Sequence, residues 1–287
     1  MRFCRFDDDR YGIVSGDRVH DITDAVHKVL AGKKPARWGD AMVSHLAEIR
    51  AAVGDGSRFP AKPLASVTLL SPVANPSKLI AAPTNYHAHV AEMQARRPGS
   101  GPGKGIRESG LFLKANSAMA GAGEGVHIRF PDRLNEHELE FMIVIGKQGS
   151  DIPEDKALDH VAAYCLSLDM TVRGPEERSF RKSIDSYAVI GPWMVTKDEI
   201  ADPNDIPFKL FCNGELRHNA HTNDLIFNCQ KLIALASEFY TLYPGDVIFT
   251  GAPAGVGPVK PGDVLTAECA AIGPMEVKIH AYEKPKN

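Results

Sequence analysis

The segment NEHELEFMIVIGK sets Glu136, Glu138 and Glu140 at every second position leading into an apolar run. In an extended chain alternate side chains share a face, so the three carboxylates point the same way. Carboxylates a few ångströms apart repel, and without a cation between them at least one must take up a proton. Two readings follow: a solvated strand edge whose charges oppose aggregation, or a cation site. Asp169 shifts the balance toward the second. It interrupts the apolar run CLSLDM, where a lone charge is not buried without a partner or a metal. An all-oxygen donor set suits Mg²⁺ or Mn²⁺, with Ca²⁺ also allowed, rather than zinc.

A second group could handle protons. The segment NYHAHVAEM holds His87, His89 and Glu92. In a helix His89 and Glu92, three apart, share a face. A carboxylate beside an imidazole fixes its tautomer and raises its basicity, as a general base for water requires. The alternative is an ordinary surface pair. Reading HAH as a zinc site needs further ligands, and none is near.

Elements must hold these groups in place. The segments MRFCRF, RYGIVSG and RVHDIT alternate in the manner of strands between Asp and Gly turn residues, predicting a small β-meander. Asp40 can cap a helix with Met42, Leu46, Ile49 and Val53 on one face, and Gly54 ends it. Residues 71–77, SPVANPS, carry two prolines between apolar runs and read as a linker between a small α+β domain over 1–70 and a larger one over 78–287. Residues 94–110, QARRPGSGPGKGIRESG, are too polar and unpatterned for a core element and predict a mobile loop. Beyond them strands recur in FMIVIG, AYCLSLDMTV, KLFCNGEL, DVIFTG and VLTAEC, with Pro-Gly-Asp turns at 244–246 and 261–263. Helices are predicted over 155–163 and 230–239. The fold class is α+β, dominated by strands.

The 287 residues suffice for a substantial core, and 44% hydrophobic with 24% charged residues places the chain among globular proteins. No apolar run is long enough to cross a membrane, and the start MRFCRFDDDR does not read as a signal peptide. A net charge of -3 offers no basic patch for nucleic acid. Cys4, Cys165, Cys212, Cys229 and Cys269 are odd in number and form no CxxC pair, which fits reduced core thiols in a cytoplasm. The partners expected are small molecules.

Taken in order, HELEFMIVIGK, LDMTVR, RKSIDSYAVIGPW, CNGELRHNAHTNDLIFN, PGDVIFTGAPAGVG and VKPGDVLTAECAAIG resemble the fumarylacetoacetate hydrolase family, over residues 78–283. The resemblance implies a β-roll catalytic domain, a homodimer, and a Mg²⁺ or Mn²⁺ site whose ligands are Glu138, Glu140 and Asp169. Glu136 has no such assignment and is expected beside the site or simply exposed. The pattern NYxxHxxE of related hydrolases implies that His89 and Glu92 activate the nucleophilic water, with His87 a bystander and Tyr86 near the substrate. Lys182 matches the family's lysine before Ser-x-Asp. Three carboxylates around a divalent ion leave the site net negative by one. Lys182, with Arg173 as a weaker second cation, would therefore supply positive charge for an anionic substrate and a developing enolate. Thr250 and Gly251 match the family's substrate-contacting turn. Neither that turn nor GPGKGI completes a phosphate-binding motif.

The reaction so implied is hydrolysis of a C–C bond in a 1,3-diketo, acylpyruvate-like acid. The substrate chelates the metal, water deprotonated by His89 attacks the distal carbonyl, and an enolate held on the metal departs. The loop over 94–110 is expected to close over the site. The same enolate serves decarboxylation of oxaloacetate-like acids and isomerisation or hydration of unsaturated 2-oxo diacids. A noncatalytic protein that binds a metal or an organic acid is the reading from another class. Departures from the family pattern fall around the pocket: Gly174 where many members have Asp, Phe180 and Arg181 before Lys182, and Thr84 where some acylpyruvate hydrolases have arginine.

Overall fold

Extended segments rich in β-branched and aromatic residues form strands throughout the residues described by the computed structural model, which are 1–34, 37–96 and 105–284. The N-terminal part holds β1 (Arg2–Phe6), β2 (Arg10–Ser15), β3 (Arg18–Asp21), α1 (Thr23–Leu30), α2 (Ala41–Ser44), α3 (Leu46–Val53), β4 (Ala61–Pro63) and β5 (Leu69–Leu70). There follow β6 (Leu79–Ala81), α4 (His87–Ala95), α5 (Ile106–Ser109), β7 (Phe112–Lys114), β8 (Met119–Gly121), β9 (Val126–Ile128) and β10 (Asn135–His137). Next come β11 (Leu139–Ile145), β12 (Val161–Asp169), β13 (Thr171–Val172), α6 (Arg178–Lys182) and β14 (Ala188–Thr196). The chain ends with β15 (Pro207–Cys212), β16 (Glu215–His221), α7 (Cys229–Phe239), β17 (Val247–Phe249), β18 (Gly257–Pro258), β19 (Val264–Glu268) and β20 (Met275–Ala281).

The main sheet runs β4-β3-β2-β1-β14-β12-β11-β17-β6-β7, with β5 on β1 and β8 on β14. Its N-terminal meander joins the rest through β1, where Arg2 and Phe3 face Val195 and Met194 of β14. A small sheet orders β13-β10-β18, and a third orders β16-β15-β19-β20-β9. The class is α+β with strands dominant.

Both β11 and β12 are buried along almost their whole length, because each face of the main sheet carries a core. Leu139, Phe141 and Ile143 pack with Leu166, Leu168 and Val189 on one side. Met142 and Val144 pack with Cys165, Ile190 and Phe249 on the other. The two-residue period puts Glu138 and Glu140 on this second side. Each large apolar side chain buried there contributes roughly 1.5–3 kcal/mol, so the acids sit at the end of a layer stable enough to carry them.

Local chemistry explains where elements start and stop. Asp40 accepts from the Val43 N–H at 3.0 Å, and Gly54 ends α3 at φ 63°, but the single helix expected between them breaks at His45 into α2 and α3. The other oxygen of Asp40 accepts from the N–H groups of Ala74 and Asn75 at 2.8 and 3.0 Å, tying this helix pair to the proline-bearing segment. The helix predicted over 155–163 is instead a 3₁₀ stretch, Glu154–His160, that runs into β12. Val161 pairs with Ile145 and Ala163 with Val144, so sheet pairing overrides the local helix preference. The helix predicted over 230–239 is present as α7, whereas α1 had no counterpart in the sequence reading. All five cysteines are buried and free. Within 94–110, Gln94 and Ala95 finish α4 and α5 follows; residues 97–104, at the heart of the expected closing loop, lie outside the described residues.

Candidate active site

Glu138 stands between β10 and β11, Glu140 is the second residue of β11, and Asp169 ends β12. Leu139 pairs with Leu168, and the Asp169 N–H donates to the Glu138 carbonyl at 2.8 Å, so two strand ends bring the acids together. One oxygen of each lies within 4.8 Å of the others, and the three residues are only 6%, 1% and 1% exposed. His137, between the glutamates, alternates to the opposite side. There its Nδ1 meets His218 Nε2 at 3.2 Å, and burial lowers its pKa to about 3, which keeps it neutral.

Two lysines face the acids. Lys182 Nζ donates to Glu138 Oε2 and Asp169 Oδ2, each at 2.6 Å. Lys114 Nζ donates to Asp169 Oδ1 and, at 2.8 Å, to the Tyr187 carbonyl. Burial raises the pKa of Glu138, but Lys182 and Arg173 override it and hold the carboxyl at about 2. Burial also raises Glu140 well above the usual carboxylate range, and the charges of Asp169 and Glu138 push it further up. Glu140 accepts from the Gly251 N–H at 2.6 Å and, among the described residues, has no lysine paired to it. A divalent cation would supply the positive charge that Glu140 lacks, and three buried hard oxygens fit Mg²⁺ or Mn²⁺. Lys114 was missed in the sequence. Its signal resembles that of Asp169, a single charge two residues after Phe112 at the end of the apolar stretch LFLK.

The proton-handling pair lies on α4, where His89 Nδ1 and Glu92 Oε2 are 3.0 Å apart. Arg96 donates to Glu92 Oε1 at 3.0 Å, to Glu136 Oε1 at 2.8 Å and to the Val256 carbonyl. Arg173 in turn bonds Glu136 and, at 3.2 Å, Glu138 Oε1. Glu136 is therefore buried between two arginines, linking the helix of His89 to the acid cluster. The Gly255 N–H adds longer bonds of 3.3 and 3.4 Å to Glu92.

The remaining expected residues divide by position. Lys182 and Arg173 line the cavity beside the acids, as does the exposed His87. Tyr86 is buried in the core with its hydroxyl unpartnered. Thr250 is buried, and its Oγ1 donates to the Phe141 carbonyl at 2.7 Å. Gly251, at φ +101°, presents its N–H to Glu140, and a Cβ there would come within 2.6 Å of Asn85 Cβ. Asn85, also missed in the sequence, donates to the carbonyls of Phe227 and Thr250, both at 2.8 Å, bracing this turn. Gly251→Ala is expected to cost about 1–3 kcal/mol of stability and to weaken Mn²⁺ binding roughly 10-fold or more, because it displaces the donor that orients Glu140. Thermal unfolding and Mn²⁺ calorimetry check the two effects separately.

The acids and His89 open onto one cavity of about 650 Å³, walled also by Thr84, Phe112, Arg178 and Phe227. A buried oxygen-donor cluster and a cationic wall around a cavity of this size define a metal-dependent enzyme acting on small molecules. The family model described as fumarylacetoacetate (FAA) hydrolase, C-terminal, matches residues 78–280, and the chain belongs to that family. A maleylpyruvate hydrolase of Aquipseudomonas alcaligenes is 50% identical over 292 residues, spanning 98% of this chain and 100% of that protein. The crystal structure of maleylpyruvate hydrolase from Sphingobium sp. SYK-6, in complex with manganese (II) ion and pyruvate, superposes with a TM-score of 0.83 at 38% identity, covering 99% of this chain and 100% of that one. The mitochondrial oxaloacetate tautomerase of Xenopus laevis is 35% identical over 221 residues, 72% of this chain and 67% of that protein.

Proposed function

We propose that this protein is a divalent-metal-dependent hydrolase that splits a C–C bond of 1,3-diketo, acylpyruvate-like acids. The observation that carries the reading is that His89, hydrogen-bonded to Glu92, opens onto the same cavity as Glu138, Glu140 and Asp169. The similarity to two maleylpyruvate hydrolases, one holding manganese and pyruvate, supports it. Glu138, Glu140 and Asp169 would hold Mn²⁺ or Mg²⁺, which when bound supplies Lewis-acid polarisation of the keto-acid oxygens. Glu92 accepts from the Nδ1–H of His89, which leaves Nε2 as the basic nitrogen that takes a proton from the attacking water. Arg96 and the Gly255 N–H hold Glu92 in that orientation. Lys182 and Arg173, both in the cavity wall, balance negative charge on the substrate as the bond breaks. Of the expected substrate contacts, Arg173 has the support of the wall; Tyr86, Thr250 and Gly251 act from behind it.

Similarity to an oxaloacetate tautomerase favours a second reading. In it the same site enolises or decarboxylates an oxaloacetate-like acid without an attacking water. A panel of acylpyruvates and oxaloacetate, each with Mn²⁺, Mg²⁺ or excess EDTA, separates the two. Pyruvate released from an acylpyruvate with Mn²⁺ and lost in EDTA is the expected result; release indifferent to EDTA, or none with any metal, would sink the hydrolase reading. The proposal extends to a homodimer in the cytoplasm, supported by the family resemblance and by five unpaired cysteines. It also assigns the chemistry to residues 78–287, joined through 71–77 to a small domain over 1–70. The cavity wall, drawn between Ala82 and Ala252, supports placing the chemistry in the larger part.

A further inference from the structure

Two buried histidines take no part in the steps assigned so far. His137 of β10 and His218 of β16 are both fully buried, and their rings meet edge to face with centroids 5.1 Å apart. His218 Nδ1 stands 2.8 Å from the Ala254 carbonyl, which can only accept, so Nδ1 carries the proton and Nε2 is left as the acceptor. The Nδ1–H of His137 donates to that Nε2 at 3.2 Å, while His137 Nε2 has no partner among the described residues. Burial pulls the pKa of His218 down to about 4, so the ring stays neutral in this tautomer. The two imidazoles therefore form a short directed chain that ends on the backbone at Ala254.

The turn they reach is the one that grips Glu92. Directly after Ala254, the Gly255 N–H meets both Glu92 oxygens at 3.3 and 3.4 Å. The Val256 carbonyl accepts from Arg96, which donates to Glu92 Oε1 at 3.0 Å, and Gly257 pairs with His137. The turn lies directly on β16: Gly255 has φ +97°, and a Cβ there would overlap the Arg217 carbonyl. A shift at Ala254 therefore passes to the next two residues, and from them to Glu92 and its partner His89, 3.0 Å away. We propose that His218 is a positioning residue for proton transfer: by fixing the Ala254 carbonyl it sets the turn that orients Glu92 and Arg96, and through Glu92 the tautomer of His89. His137 supports the His218 ring from the strand that leads into Glu138. This rests on the hydrolase reading above and adds the group that keeps its general base in register.

The test compares His218→Leu, which removes the donor, with His218→Asn, whose side-chain amide stands near the Nδ1 position and can still donate to Ala254. With an acylpyruvate and Mn²⁺, His218→Leu is expected to lower kcat about 10- to 100-fold, the cost of a small misplacement at a reacting group, while KM and Mn²⁺ affinity stay within about threefold of the parent. His218→Asn should recover most of the lost kcat. In a Glu92→Gln background the leucine change should cost less than about twofold, because the route through Glu92 is already cut. A full loss repeated in that background, or a kcat in His218→Leu equal to that of the parent, would overturn the assignment. Turnover is expressed per bound Mn²⁺, so a loss of folded protein does not imitate the effect, and His218→Met stands in if the leucine variant does not fold. Nitrogen-15 spectra of histidine-labelled, Mg²⁺-loaded protein give a readout apart from activity. The His89 proton should sit on Nδ1 in the parent and in His218→Asn, and be shared between the two nitrogens in His218→Leu; an unchanged tautomer in the leucine variant sinks the proposal. If the parent cleaves no acylpyruvate, the hydrolase reading falls by itself, and the spectra alone decide the role of His218.

Discussion

Glu140→Gln should abolish Mn²⁺ binding and lower hydrolysis at least about a thousandfold, while leaving the chelated protein as stable as the parent or more so. The activity estimate follows from a Lewis-acid contribution of several kcal/mol, of which roughly 4 kcal/mol equals three decades in rate. The stability expectation follows from the local charges. Burial, with Asp169 and Glu138 alongside, pushes the Glu140 carboxyl well up, so its ionised form is the least favoured of the three acids. A glutamine keeps an oxygen for the Gly251 N–H and removes the repulsion. Asp169→Asn is the opposite case. It strips a carboxylate from both Lys182 and Lys114, and breaking a buried ion pair in this way costs about 3–5 kcal/mol. Melting temperatures with EDTA and with Mn²⁺, together with calorimetric Mn²⁺ titration, read these effects. Retained Mn²⁺ affinity in Glu140→Gln would remove Glu140 from the ligand set.

His89→Ala should do the reverse, keeping Mn²⁺ affinity while reducing kcat by about 10²- to 10⁴-fold, the usual contribution of a positioned general base. His89 lies on α4 rather than on the strands that carry the acids, and its hydrogen-bond partner is Glu92. Its loss therefore leaves the ligand cluster intact. Steady-state turnover of an acylpyruvate and the Mn²⁺ dissociation constant, measured on the same preparation, test the separation. Turnover equal to that of the parent would remove His89 from the proton-transfer step.

The acid cluster was legible because its sequence signals are local. Alternation fixed the face of Glu138 and Glu140, and Asp169 stood out as a charge in an apolar run. The spacing of His89 and Glu92 likewise survives as a contact, since α4 is helical where that spacing requires it. What the sequence hid was long-range. Lys114 is 55 residues from Asp169, and nothing near it announces that β7 will lie beside the end of β12. Glu136 looked like surplus charge because its partners, Arg96 and Arg173, are 40 and 37 residues away. The error over 155–163 has the same origin: local pattern favoured a helix, but pairing between Ile145 and Val161 claimed the segment for the sheet.

Two ammonium groups wedged among three acids also bear on how the site comes into being. In small zinc-dependent domains the ligands have no partner until the ion arrives, so folding waits for it. Here Glu138 and Asp169 find cationic partners in Lys182 and Lys114 within the same chain. The ends of β11 and β12 are thereby clasped to α6 and β7 without outside help. The clasp is thus expected to let the chain fold before any ion arrives, with cooperative unfolding of the metal-free protein in EDTA as its measurable consequence.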